Sequence, residues 1–189
     1  MALGVDISEN NGYVDFEMLK AAGVEFIIAR AGYGMGHEDG CFSHYVETAR
    51  DYGFKLGAYW FSYSLDPEQA RQEGQYAASI VSATDCLFEL PIFYDTENSS
   101  WRDTHGWDSS LATAECDAFI EGLNGLNGGV YANLNWFSNI LDYDALKAKY
   151  PIWLAEYSSE PDLECAIWQY SDSGEFGDGK AFDVNTCQF

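Results

Sequence analysis

Basic residues are scarce in this chain. Nine lysines and arginines face 31 aspartates and glutamates, a formal charge of −22 over 189 residues. Such a surface repels a phosphate backbone and an anionic lipid layer, so neither nucleic acid nor a membrane is expected as partner. No apolar run approaches the ~20 residues that cross a bilayer. The start, "MALGVDIS", runs straight into a strand pattern, so no signal peptide is expected. The three histidines, His37, His44 and His105, form no H-x-H or H-E-x-x-H, which disfavours a metal hydrolase. No G-x-S-x-G is present, which excludes an α/β-hydrolase nucleophile elbow. "GYGMG" at 32–36 is glycine-rich but fits neither a P-loop nor G-x-G-x-x-G. No metal and no cofactor are expected. The five cysteines, at 41, 86, 116, 165 and 187, include no C-x-x-C, and the odd count leaves one unpaired within the chain. Cys165 and Cys187 flank the last two strand patterns and are the pair that could meet.

What is present is apolar and aromatic: hydrophobic residues make up 47% of the chain and aromatics 16%. That suffices for one core, and the reading is a single domain over 1–189, expected as a monomer. Short apolar runs predict strands at 3–8, 25–31, 55–61, 90–97, 128–134, 151–157, 166–171 and 181–185. Between them lie helical patterns. Phe42, Tyr45, Val46 and Ala49 mark one over 39–52, and another covers 66–83, with Asp66 as N-cap, Pro67 at the first position and Gln69 completing a capping box. Asp15 and Gly23 bracket a short first helix, and two more fit 109–123 and 136–149. Residues 158–165 are too few for a parallel crossover, so a hairpin-like join is expected there. The fold class is α/β: a modified TIM-like barrel of five β/α units followed by three strands without helices. A doubly wound sheet is the rival, but it lacks its glycine-rich nucleotide loop.

In such barrels the active site lies at the C-terminal ends of the strands. Those ends carry Asp6, Arg30, Tyr59 with Trp60 and Phe61, Asp95 with Glu97, Tyr131, Trp153 with Glu156 and Tyr157, Trp168 with Gln169, and Asp183. Strand period two puts Phe93, Asp95 and Glu97 on one face. Carboxylates roughly 6–7 Å apart discourage each other's ionisation, and a proton-holding acid beside an ionised one is what glycosidic cleavage needs. A lone D-x-E reads as solvated strand-end acids; the convergence of Asp6 and Asp183 on the same rim turns the reading to chemistry. Aromatic rings on the rim would hold sugars by their C–H faces. Trp153 and Trp168 read equally as core, whereas Trp101 and Trp107, in a polar loop, suit a groove wall. Arg30 reads as a charge partner for the acids.

The segments "GVDISENNGYVDF", "FIIARAGYG", "GAYWF", "LPIFYDTE", "GVYAN", "PIWLAEY", "IWQYS" and "FDVNTCQF" follow one another along the chain. In order and spacing they resemble the glycoside hydrolase family 25 lysozymes. The resemblance implies the same barrel and cleavage of the β-1,4 bond between N-acetylmuramic acid and N-acetylglucosamine in bacterial peptidoglycan. It implies Glu97 as general acid, Asp95 as its neighbouring carboxylate, and Asp6 and Asp183 as the other site acids. Tyr59, Tyr131 and Tyr157 would line subsites, with Arg30, Phe61, Trp153 and Gln169 as further substrate-binding candidates. An extracellular or cell-wall location follows. The resemblance leaves three roles open: a substrate acetamido nucleophile assisted by Asp95, Asp95 itself as nucleophile, or an inverting water. Family members often carry His where "GAYWF" has Trp60, and an aromatic–Gln pair where "SENNG" has Asn10 and Asn11. One rival is a chitinase-like glycosidase, which needs acids where this chain has Phe93 and Leu90. A second is a non-catalytic glycan-binding barrel, which has no need of four intact acids.

Overall fold

The computed structural model describes residues 1–97, 103–104, 108–177 and 179–187. Trp101, His105 and Trp107 lie outside the described residues. The chain runs β1 (Ala2–Ile7), α1 (Phe16–Ala21), β2 (Phe26–Tyr33), β3 (His37–Glu38), α2 (Phe42–Asp51) and β4 (Lys55–Phe61). It continues through α3 (Pro67–Ala83), β5 (Ile92–Asp95), α4 (Ser109–Gly122), β6 (Gly128–Asn133), α5 (Leu134–Asn139) and α6 (Tyr143–Lys147). It ends with β7 (Ile152–Ala155), β8 (Ile167–Glu175) and β9 (Ala181–Cys187). One sheet has the order β1-β9-β8-β7-β6-β5-β4-β2-β3, and β1 also pairs with β2. Eight strands therefore close a barrel, and β3 is a short flap paired to β2 outside it. This is the expected α/β barrel with helices in its first part.

The acid excess is partly structural. Asp15, Asp66, Asp108 and Asp142 cap α1, α3, α4 and α6 by accepting backbone N–H bonds at 2.9–3.1 Å. Gln69 Nε2 donates to Asp66 Oδ2 at 2.8 Å, but its Oε1 accepts from the Leu65 N–H at 3.1 Å rather than from the Asp66 N–H of the expected capping box. The helix predicted over 136–149 is instead two short ones. The chain turns between them because the Asp142 N–H is taken by Thr113 Oγ1 at 2.9 Å.

Alternate strand residues divide between two cores. Outward side chains such as Val5, Ile27, Tyr94 and Leu154 pack under the helices, while Phe26, Ile28, Phe93 and Trp153 fill the barrel. Gly4 and Gly129 leave the room that the Phe26 and Phe93 rings occupy, since a Cβ at either would lie within 2.5 Å of them.

Two expectations about the last strands are corrected. The sixth and seventh predicted strands, β7 and β8, are parallel rather than joined as a hairpin. Residues 156–166 span up to ~35 Å when extended and need only retrace ~13 Å of a four-residue strand, so no helix is required. The antiparallel strand is the last one, β9, which pairs with both β8 and β1. Asp183 therefore reaches the rim from the start of its strand, not from a C-terminal end. Cys165 and Cys187 are not joined in a disulfide.

Helices α3 and α4 cross closely through Gly74 and Gly122. A Cβ on Gly74 would sit 2.2 Å from the Phe119 carbonyl oxygen, and one on Gly122 would sit 2.3 Å from that of Arg71. Backbone cannot move aside as a side chain can. Gly74→Ala is expected to cost about 1–3 kcal/mol, read as a lower urea midpoint with an unchanged slope.

Candidate active site

The barrel's open end gathers the four acids. Asp6 on β1 lies opposite Asp183 on β9, whose charge acts on it. Asp6 Oδ2 also accepts from Gln169 Nε2 at 2.9 Å and Asn185 Nδ2 at 2.8 Å. Trp153 Nε1 donates to Asn185 Oδ1 at 2.7 Å, which fixes that amide. Gln169 Oε1 accepts from the hydroxyls of Tyr131 at 3.1 Å and Tyr157 at 3.2 Å. Each amide thus turns its NH2 to Asp6 and its oxygen to a ring donor, which leaves little freedom in how the site is wired.

Asp95 ends β5 on the inward face, above Phe93. Its Oδ1 is buried and has no hydrogen-bond partner among the described residues. Glu97 lies just beyond the strand, half-buried, near the Asn133 amide, which favours its ionised form. Burial raises the pKa of Asp95 well above its ordinary value, the charges of Glu97 and Asp6 raise it further, and Arg30 opposes them. Burial and then the Asp183 charge raise Asp6 against its amide bonds. Glu97 and Asp183 are also raised, by burial first. The cluster therefore holds protons that four isolated carboxylates would have released, and they belong to the group as a whole.

The remaining candidates divide. Tyr59 is half-buried beside Asp6, Asp95 and Arg30, and its ring meets Trp153 edge-on at 6.0 Å. Phe61 is the cross-strand neighbour of Asp95. Tyr131 and Tyr157 face a cavity of about 610 Å³ lined also by Glu97, Asn133, Trp136 and Glu156. Trp153, 1% exposed, is the floor beneath the site rather than a free sugar platform. Trp168 faces outward, and its Nε1 ties down the Glu156 carbonyl at 2.7 Å. Arg30 does not ion-pair with the four acids. Its guanidinium bonds Asp39 at 2.8 Å and Glu9 at 3.1 Å, joining the loops after β1 and β3.

Four residues of this arrangement were not singled out in the sequence: Asn185, Asn133, Glu9 and Asp39. For the two asparagines a signal existed. Asn185 stands two residues after Asp183, and Asn133 two after Tyr131, so the alternation that pairs Asp95 with Glu97 puts both on inward faces. Glu9 and Asp39 belong to turns, where no such period operates.

The barrel mouth thus gathers four acids whose protonated forms are favoured by burial, with tyrosines beside an open cavity. Residues 5–179 match the family described as Glycosyl hydrolases family 25. The chain therefore belongs to that family, and it is a glycoside hydrolase domain of the lysozyme class. It is 27% identical over 178 residues to the autolytic lysozyme of Clostridium acetobutylicum, covering 90% of this chain and 51% of the relative. It is 28% identical over 199 residues to the probable GH family 25 lysozyme 2 of Dictyostelium discoideum, covering 96% and 89%. The chain thus spans about half the length of the clostridial relative. In fold it matches the CTP1L endolysin with TM-score 0.86 at 24% identity, covering all of this chain and 67% of that one. It matches the bacterial lysozyme from Streptomyces coelicolor with TM-score 0.83 at 23% identity, covering 100% and 92%.

The raised carboxyl values have a consequence for stability. On α3, Glu73 is also buried, and burial pushes it from 4.5 to about 7. For each raised acid the folded chain keeps a proton that the unfolded chain has lost. Their contribution is complete below the ordinary carboxylate values and is lost as pH rises through the raised ones. The urea midpoint is therefore expected to fall between pH 4.5 and about 7, and Asp6→Asn should flatten that slope. A midpoint that rises over the same range contradicts the assignment.

Proposed function

We propose that this chain hydrolyses the β-1,4 bond between N-acetylmuramic acid and N-acetylglucosamine in bacterial peptidoglycan. Glu97 acts as general acid and then base. It faces the open cavity, and its proton is favoured by burial. Asp95 assists through the substrate's 2-acetamido group. The observation that carries this role is the buried Asp95 Oδ1, without a partner among the described residues, an acceptor that an acetamido N–H would satisfy. Asp183 strengthens the hold of Asp6 on a proton, and the one carboxylate left ionised between them favours a developing oxocarbenium ion. Tyr59, Phe61, Tyr131, Tyr157 and Gln169 shape the cradle, Trp153 supports it from below, and Arg30 braces the neighbouring loops.

The domain fills residues 1–189 and works as a monomer on the cell wall, outside the cell or on phage release. Among the described residues no helix is long and apolar enough to cross a membrane. With nine basic residues against 31 acids, the chain has little to offer nucleic acid.

Digestion of purified peptidoglycan, followed by borohydride reduction and mass spectrometry, tests the bond. Reduced muramic acid ends are expected; reduced glucosamine ends mean the other linkage is cut. Glu97→Gln should lower turnover by roughly 10²–10⁴-fold. Turnover in that variant equal to the parent's would sink the assignment.

A further inference from the structure

A bulge in β2 turns one more aromatic residue toward the barrel mouth. Arg30 pairs with Tyr59 and Gly32 with Trp60, so Ala31 is the extra residue. With unbroken alternation Tyr33 would share the outward face of Ala29 and Ala31. After the bulge it stands opposite Phe61, whose other neighbour is Asp95. Tyr33, Phe61, Asp95 and Tyr131 thus form one row across β2, β4, β5 and β6.

Beside this row stands Tyr63, 53% exposed. Its ring meets Phe61 edge-on at 5.3 Å and Tyr33 at 6.3 Å, and His37 stacks on Tyr33 at 5.3 Å. Three devices hold it. Gly34, at φ 54°, leaves the space its ring fills, since a Cβ there would lie 2.8 Å away. Trp60 Nε1 donates to the Gly34 carbonyl at 3.1 Å and anchors that turn. The Tyr63 N–H donates to buried Glu73 Oε1 at 3.0 Å. A large exposed ring fixed in this way keeps its apolar face in water, with the cost of ordering already met before anything binds.

We propose that Tyr63 is an additional glycan subsite, on the side of Asp95 away from the Tyr157 cavity. The C–H face of an N-acetylhexosamine lies on its ring. The proposal rests on the peptidoglycan reading above. Phe61 is one strand, about 5 Å, from Asp95, and Tyr63 follows roughly 7 Å further along the chain. A strand held for cleavage between Glu97 and Asp95 therefore reaches Tyr63 with its following sugars. The net charge of −22 disfavours carboxylates of a peptide stem on this shelf and favours the neutral sugar face.

The test compares the parent chain, Tyr63→Ala and Tyr63→Phe on stem-free peptidoglycan glycans, a tetrasaccharide and an octasaccharide. In parallel, calorimetry measures octasaccharide binding to Glu97→Gln with and without Tyr63→Ala. Tyr63→Ala should raise the octasaccharide KM about five- to tenfold with kcat unchanged, and weaken calorimetric binding equally. Tyr63→Phe should behave as the parent, because the ring and not the hydroxyl is used. If the parent cleaves and Tyr63→Ala keeps its octasaccharide KM, the subsite is overturned while the muramidase reading stands. If the parent binds through Tyr63 without cleaving, the subsite stands and that reading falls. Neither binding nor cleavage by the parent overturns both.

Discussion

The site depends on burying carboxylates among amides and other carboxylates. Asp6 is 6% exposed and Asp95 4%, and the donors on Asp6 are the neutral amides of Gln169 and Asn185. Amide donors lower the cost of burial without cancelling charge, so the cheapest state keeps protons on the cluster. A proton held against its ordinary tendency, beside an acceptor with no partner among the described residues, is the chemical content of this barrel. Arg30 lies near but spends its donors on Glu9 and Asp39. It shapes the walls and tempers Asp95 without neutralising the group.

The same bonds close the fold. Asp6 belongs to the first strand and Asn185 to the last, 179 residues apart. Trp153 links that pair to the barrel floor, and Gln169 links it to the tyrosines at the cavity. The acid cluster is therefore assembled only when the final antiparallel strand docks against β1. Contacts of such sequence separation form late because loop closure must come first. The competent site and the closed barrel are one event.

Much of this was legible in the sequence for a physical reason. Inward and outward residues alternate wherever a strand carries no bulge, so a rim can be read by counting in twos; Asp95 falls inward two residues after Phe93, while Asp183 faces the same rim from the start of its strand. Helix starts were legible because Asp66 and Pro67 act locally. Illegible were features set by tertiary geometry. The direction of β9 depends on which edge remains open, not on its own residues. The Ala31 bulge, which moves Tyr33 onto the Phe61 face, breaks the counting rule without a local marker. Glu9 and Asp39 sit in turns and show their purpose only once Arg30 is seen between them. Trp153 read equally as core and as sugar platform, because its strand end is right for either; its place one layer deeper makes it floor.

The claim at the centre is that the acid cluster stores protons. Carbon-13 NMR titration of the Asp and Glu carboxyl carbons, assigned with Asp6→Asn, Asp95→Asn, Glu97→Gln and Asp183→Asn, reads this directly. Several of the four should titrate above the ordinary carboxylate range, and removing one should shift the curves of the others. Four independent titrations at ordinary carboxylate values, each blind to loss of its neighbours, would contradict it.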